Sequence, residues 1–548
     1  MISSRHIEKI VISLLCVAMV FCCLLTVYTP GSDSVRVVME YESMLFDTSH
    51  PADINIIMDD DKWAEMLDSA YQKDWYSCDV IINGTRFYNV GIRIKGANSL
   101  ESIVEDPDSN RYSFKLKFDK YDEDQKCWGL DSLCLNNNFG DISSMKEALI
   151  YDMFHFLGAD ASLCNYAAIN VNGNYWGVYL AIEPVDSSFL QRNYNGQSGA
   201  LYNPGNAGGS EDSDEMWEMM EDMEDLEEDS FIGSGGSNLN YIDDNVDSYW
   251  CIWPSQITKT DDSDHRRVVE ALRHISEQDS LEDYMDVDNV LRYMAVHNFC
   301  VNLDSLNGDG DHNYYLYEQD GKLNIIPWDY NLSFGAYQVD PDPDSGGYED
   351  ELMTSSDVVN FPIDDHWSMT TFFDGLLDND EYRAKYHEYY RMLVDEYVFG
   401  GRFDVFYTKT RSMIDELVRT DPNALYSYEA YDNAAKMLKA TVEARGLSVR
   451  GQLDGTIPST REGQMLHPGS LVGADEIDIL DLGADMLDPT IEYIPEEESW
   501  ELMIAQQKQI KSDNIRKSAV EYCVSFVVVI LMVYAIKKYE RRKLNISR

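Results

Sequence analysis

Basic residues are the scarce class in this chain: 43 Lys and Arg stand against 98 Asp and Glu in 548 residues, a formal charge of -55. Nucleic-acid binders draw affinity from cations that neutralise phosphates and release counterions, so the shortage argues against that class and leaves basic proteins, metal ions or no electrostatic partner at all. Cysteine supplies no framework either. Four of the ten lie in apolar runs (Cys16, Cys22, Cys23, Cys523), and Cys78, Cys127, Cys134, Cys164, Cys251 and Cys300 are scattered without a pair at metal-ligand spacing. That spacing excludes a zinc module and leaves one or two disulfides, or buried free thiols, as the alternatives. No internal repeat is evident. What is there is 44% hydrophobic and 12% aromatic residues, ample for one large bilobal domain or two ordinary ones.

Long apolar runs are also few. Ile10 to Tyr28 is an uncharged run of 19 residues, which as a helix rises about 28 Å and matches the hydrocarbon core of a bilayer. No small-x-small cleavage site follows at Thr29 to Ser34, so an uncleaved anchor is expected over residues 1–29. A second uncharged run, Tyr522 to Ile536, predicts a transmembrane helix over 519–537, with an amphipathic helix lying on the membrane as the alternative. Lys537, Lys538, Arg541, Arg542 and Lys543 make 538–548 a basic cytoplasmic tail, and Arg5 and Lys9 precede the first run. The expected localisation is therefore the cell membrane, with two spans, both termini cytoplasmic and the large domain outside.

Between these runs, alternation predicts a strand over Ala52 to Met58, a short helix over Lys62 to Tyr71, and the strands CDVIING, FYNVGIRIKGA and YSFKLKF as an antiparallel meander turning at Asn83-Gly84. A helix from Ser143 to Leu157 ends at Gly158, and YAAINVNG and YWGVYLAIE flank Asn172-Gly173, a strong hairpin signal. From Glu211 to Asp229 there are 12 carboxylates and no basic residue, with Met216, Met219, Met220, Met223 and Leu226 at helical spacing. This predicts an acidic surface helix within an insertion spanning 206–238, with docking of a basic partner as the alternative. Asp264 to His297 and Met369 to Arg450 read as mainly helical, and 456–515 as an acidic spacer.

The chemistry concentrates in NLDSLNGDGDHNYYLYEQDGKLNIIPWDYNLSFG, Asn302 to Gly335, where two oxygen-rich loops flank a strand hairpin. An EF-hand starting at Asp309 is excluded, because its sixth and twelfth positions are Tyr314 and Asp320 instead of Gly and Glu. A glycosidase pair of Asp304 and Asp329 would leave the lysines of the preceding strands without a role. Those strands carry Arg93, Lys95, Lys115 and Lys117. Cations on a sheet facing Asp and Asn across a cleft are what a magnesium nucleotide requires.

The motifs GIRIKGANS (91–99), SFKLKF (113–118), ISSMKEALIYDMFHFLG (142–158), VNGNYWGVYLAIEPVDSSFL (171–190), NLDSLNGDGDHNYYLY (302–317) and IIPWDYNLSFG (325–335) stand in an order that resembles the CotH kinase family, named for spore-coat kinases. The resemblance covers residues 43–455. It implies an α+β, two-lobed atypical protein-kinase-like fold, with an antiparallel-sheet N-lobe over about 43–183 and a mainly helical C-lobe over about 184–455, here flanked by the two predicted transmembrane helices. It implies transfer of the ATP γ-phosphate to Ser or Thr of exported or surface proteins, with basic, Ser-rich acceptors as candidate partners. ATP and Mg2+ (or Mn2+) are the implied cofactors. Asp304 matches the catalytic Asp; Asn313, Asp329 and Asn331 match the metal-binding positions. Either Lys115 or Lys117 reaches the phosphates, Lys115 being slightly favoured, with Arg93 and Lys95 lining the phosphate roof and the backbone at Glu183 as the hinge beside adenine. Three positions depart from the pattern: Asn331 replaces the second Asp of WDxD, Asn203 replaces a Lys after the LY pair, and Lys146 replaces an Arg. The last keeps the charge and loses the bidentate fork. A surface adhesion or scaffolding protein that keeps a kinase-like fold without catalysis is the alternative function.

Overall fold

The computed structural model describes residues 38–96, 98–106, 109–196, 199–205, 235–308, 311–337 and 353–483. Both predicted spans, the basic tail, the acidic helix at Glu211 to Asp229 and the spacer beyond 483 lie outside them.

Seven strands close into a barrel: β1 (Ala52–Ile57), β2 (Tyr76–Ile82), β3 (Thr85–Lys95), β4 (Ser113–Lys117), β5 (Ser132–Asn136), β6 (Cys164–Val171) and β7 (Asn174–Ile182), in the order β1-β2-β3-β4-β5-β7-β6. Every neighbouring pair is antiparallel except the closing one, where β1 runs parallel to β6 with Ile54 opposite Ile169. Alternate side chains point inward: Ile54, Ile56, Val80, Ile92, Ile94, Phe114, Leu116, Leu135, Ile169 and Tyr179 are all buried in one apolar cluster. The interior is thus packed, and closure removes the sheet edges that an open meander would expose. The hairpins turn where expected, with Asn83-Gly84 and Asn172-Gly173 both at positive φ, the geometry of a tight two-residue loop.

The remaining elements pack around a second apolar cluster. Its longer helices are α1 (Lys146–Leu157), α2 (Ser187–Tyr194), α3 (Asp262–Ser276), α4 (Val287–Phe299), α5 (Asp380–Arg391), α6 (Arg402–Arg419) and α7 (Tyr428–Leu453). A three-stranded sheet, β8 (Ala200–Tyr202), β9 (Tyr314–Gln319) and β10 (Lys322–Pro327), lies among them in the order β10-β9-β8. Helix α4 is buried along most of its length, and Arg445 of α7 pins its end. That fully buried guanidinium donates to the carbonyls of Asn298, Phe299, Val359 and Phe361.

Two expectations are corrected here. The two-lobed kinase fold with an antiparallel-sheet N-lobe is replaced by the closed seven-stranded barrel, because β1 returns to pair with β6 and β5 inserts between β4 and β7. The two-span placement, with its extracytoplasmic domain, is not carried forward: no helix among the described residues is long and apolar enough to cross a membrane, and both runs on which it rested lie outside those residues. The six cysteines outside the apolar runs are all free thiols. Within 456–515, residues 461–466 and 479–482 are helical, and Ile479 and Leu482 are buried.

Candidate active site

Helix α4 delivers the chain to the first polar loop, and the β9/β10 hairpin joins that loop to the second. Register in the hairpin pairs Tyr314 with Pro327, so Asn313 and Trp328 emerge side by side at its open end. Both turning residues, Asn313 and Asp329, take left-handed backbone (φ 58° and 57°), which Asn and Asp tolerate better than most residues. Asp304 is nearly buried. Asn313 Nδ2 donates to its Oδ2 at 2.8 Å and to its backbone carbonyl at 3.0 Å, and His312 Nε2 lies 3.0 Å from Oδ1. The carboxylate is therefore fixed in orientation from both sides.

Asp329 is within electrostatic reach of Asp304, His312 and Lys95. Burial pushes its carboxyl above the ordinary range and the charge of Asp304 adds to this, while Lys95 and His312 pull it back. Lys95 comes from the outer face of β3, its neighbours Ile92 and Ile94 pointing into the barrel. Its Nζ donates to Asn136 Oδ1 at 2.5 Å, and Asn136 Nδ2 donates to Glu147 Oε2 at 3.0 Å. Lys95 also lies 5.8 Å from the Trp328 ring centroid. Glu147, in the first turn of α1, keeps its second oxygen buried without a hydrogen-bond partner. Its acid is pushed up to about 8 by burial and by Asp329, against the pull of Asn136 and Lys95.

The other predicted residues divide between this cluster and its surroundings. Arg93 and Lys115 are cross-strand partners on the same outer face as Lys95, and Lys117 stands opposite Gly91. Arg93 lies 4.9 Å from the Trp75 ring centroid. Lys115 acts on Asp186, whose acid burial lifts to about 6 while Ser132 and Lys115 oppose the rise. Asn331 donates Nδ2 to Phe139 O at 2.9 Å, tying the second loop to the chain before α1. Lys146 makes a parallel tie: its buried Nζ reaches Gly140 O at 3.1 Å and Ser333 O at 3.5 Å, and burial brings the amine down to about 8. Glu183 is fully buried and bound to Arg192 of α2 at 2.6 Å, to the Tyr41 hydroxyl at 2.6 Å and to Leu163 N–H at 3.0 Å. Its own N–H donates to Leu163 O at 2.8 Å, so side chain and amide are both occupied within the protein.

Sequence reasoning missed Asn136 and Glu147. The signal available for Glu147 was its place in KEALIYDMF, where a carboxylate sits in a helical turn that is otherwise made to be buried. Asn136 sits in SLCLN, a strand buried on both faces, which shows no alternation.

Asp329, Asn313 and Asn331 are oxygen donors of the kind a hard divalent cation takes. Asp329 supplies a carboxylate. Asn313 and Asn331 spend their N–H ends on Asp304 and Phe139 O, which leaves their amide oxygens as the ends available to a hard cation. Among the described residues no three His, Cys, Asp or Glu side chains gather as a protein-only metal cage. Magnesium held by one or two carboxylates together with substrate phosphates needs none.

Helical, hairpin and barrel parts of this site all fall within residues 92–449, which match the family described as CotH kinase protein. That span is well over half of the chain, and the chain belongs to the CotH kinase protein family. A curated relative, inner spore coat protein H of Bacillus subtilis (strain 168), is 26% identical over 332 residues, covering 59% of this chain and 79% of that protein. Its name places that relative in a spore coat.

Proposed function

We propose that this chain is an atypical protein kinase that transfers the ATP γ-phosphate to Ser or Thr hydroxyls of a protein acceptor. The observation that carries the reading is the meeting of Asp304, held by Asn313 and His312, with Asp329 beside Lys95 on the barrel's outer face. In this reading Asp304 orients the acceptor hydroxyl and receives its proton, and Lys95 holds phosphate oxygens beside Asp329. Arg93, Lys115 and Lys117 extend the cationic row along the same face. Asp329, Asn313 and Asn331 would hold Mg2+ or Mn2+, which when bound neutralises charge developing on the phosphates. The charge of -55 favours a basic, Ser-rich acceptor, and the named relative suggests a coat-type structural protein as its kind.

The test is phosphate transfer from labelled ATP by the full chain to basic, Ser-rich acceptors, beside Asp304→Asn and Asp329→Asn. Metal-dependent incorporation that falls by about 10²- to 10⁴-fold in Asp304→Asn supports the reading. Absence of any metal-dependent nucleotide binding refutes it. That result would favour the non-catalytic scaffolding alternative, for which the occupied Glu183 and the neutral Asn331 in place of an Asp are the supporting observations.

A further inference from the structure

We infer that His297, a buried residue of α4 that touches neither polar loop's acids, is the positioning residue that fixes the spacing between them. The inference rests on the metal-nucleotide reading of the site. His297 is fully buried, and each ring nitrogen reaches a different loop: Nε2 lies 2.9 Å from Asn307 Oδ1 and Nδ1 lies 2.8 Å from the Tyr330 hydroxyl. Asn307 follows Asp304 by three residues, and Tyr330 directly follows Asp329. A neutral imidazole donates at one nitrogen and accepts at the other, and both partners suit either role, Asn307 through its amide and Tyr330 through its hydroxyl. Burial lowers the ring to about 4, against the pull of Asn307 and of the Asn302 backbone, and so keeps it neutral.

The ring is itself immobilised. Tyr293 stacks on it at 5.0 Å between centroids, Trp367 lies at 5.2 Å, and Tyr330 meets it edge-on at 5.7 Å. One rigid imidazole on a buried helix thereby holds both loops. The β9/β10 hairpin joins the loops through the chain, and His297 supplies a second, non-covalent joint. With both in place the loops cannot slide or rotate independently, and the distance from Asp304 to Asp329 is set before ligand arrives. A site that binds cation and phosphates together gains from such preorganisation.

The measurement is Mn2+ binding to the full chain in the presence of a non-hydrolysable ATP analogue, read by electron paramagnetic resonance, beside Tm. Tyr330→Phe deletes one hydroxyl and keeps the packing; His297→Phe deletes both bonds; the double variant completes a cycle. The expected result is about tenfold weaker Mn2+ binding in Tyr330→Phe, at least as much in His297→Phe, and no further loss in the double variant. A histidine with only a core role would lower Tm while Mn2+ affinity stays at the wild-type value, and that outcome overturns the inference even if His297→Phe fails to fold, because Tyr330→Phe alone decides it. Wild-type chain that takes up no Mn2+ with the analogue removes the kinase reading and this inference together. Binding by wild type with unchanged affinity in the variants removes the positioning role alone.

Discussion

Glu147→Gln should make the protein more stable at alkaline pH and flatten its stability profile between pH 6 and 9. The carboxyl sits almost out of solvent, beside Asp329, with one oxygen taken by Asn136 Nδ2 and the other buried without a partner. In the folded chain its acid is raised to about 8 from 4.5. The folded state then binds more protons than the unfolded one between these values, so stability contributed by the protonated group is complete below about 4.5 and is lost as pH rises through about 8. Linkage between those two values gives a loss of about 2–3 kcal/mol from pH 6 to pH 9. Spread over a chain of this size, that corresponds to a Tm difference of about 3 °C. Gln reproduces the neutral acid: its oxygen accepts from Asn136 and its amide nitrogen occupies the place of the hydroxyl. The assay is Tm across pH 6 to 9 for both proteins in matched buffers, comparing slopes so that every other titrating group cancels. Parallel profiles would refute the argument, because they would mean that Glu147 is already ionised at pH 6, with Lys95 acting as a direct counter-charge.

Removing the cation should act in the opposite sense: Lys95→Met deprives Asp329 of the charge that lowers its acid, so the pH midpoint of Mn2+ binding should move upward and nucleotide affinity fall at least tenfold, both measurable by titration. Glu183→Gln strips a fully buried arginine, Arg192, of its carboxylate and should cost about 3–5 kcal/mol, seen as a lower Tm. The Mn2+ affinity of the protein that remains folded should be unchanged in that variant. Leu482→Ala should cost about 2–5 kcal/mol by Tm, since Leu482 is buried and its carbonyl accepts from Ile142 N–H at 3.1 Å. A value under 1 kcal/mol would mean that residues 479–482 are not part of the folded core.

What the sequence made legible was local. Strands with alternating residues, such as β3 with its Val90, Ile92 and Ile94 inward, and turns with Asn-Gly at positive φ, declare themselves within a few positions. Closure was hidden because the pairing of Ile54 with Ile169 joins residues more than a hundred positions apart, and nothing in either strand names its partner. β5 was hidden for a second reason, since all five of its residues are buried and a two-sided strand has no period to read. The site followed the same division. Asp304, Asn313 and Asp329 lie in one continuous stretch joined by a hairpin, so their meeting could be anticipated. Lys95, Asn136 and Glu147 come from three elements, and the order of the lysines along the cleft depends on strand register: Lys115 faces Asp186 while Lys95 faces Asp329.

That register bears on why an asparagine stands between Lys95 and Glu147. A direct ion pair would hold the lysine in place but also neutralise it, at a point where a chain with 55 net negative charges has few cations to spend. An intervening amide separates the two roles. Asn136 accepts from the ammonium with its oxygen and donates to the carboxyl with its nitrogen, so geometry passes along the row without charge. Burial then keeps the acid mostly protonated below about pH 8. The positive charge of Lys95 is left directed at Asp329 and at whatever anion lies beside it. Replacing Asn136 by Asp would collapse this arrangement, since the new carboxylate would pair with Lys95 directly and add a third acid beside Glu147 and Asp329. The neutrality of position 136 is thus as much a part of the site as the charges on either side.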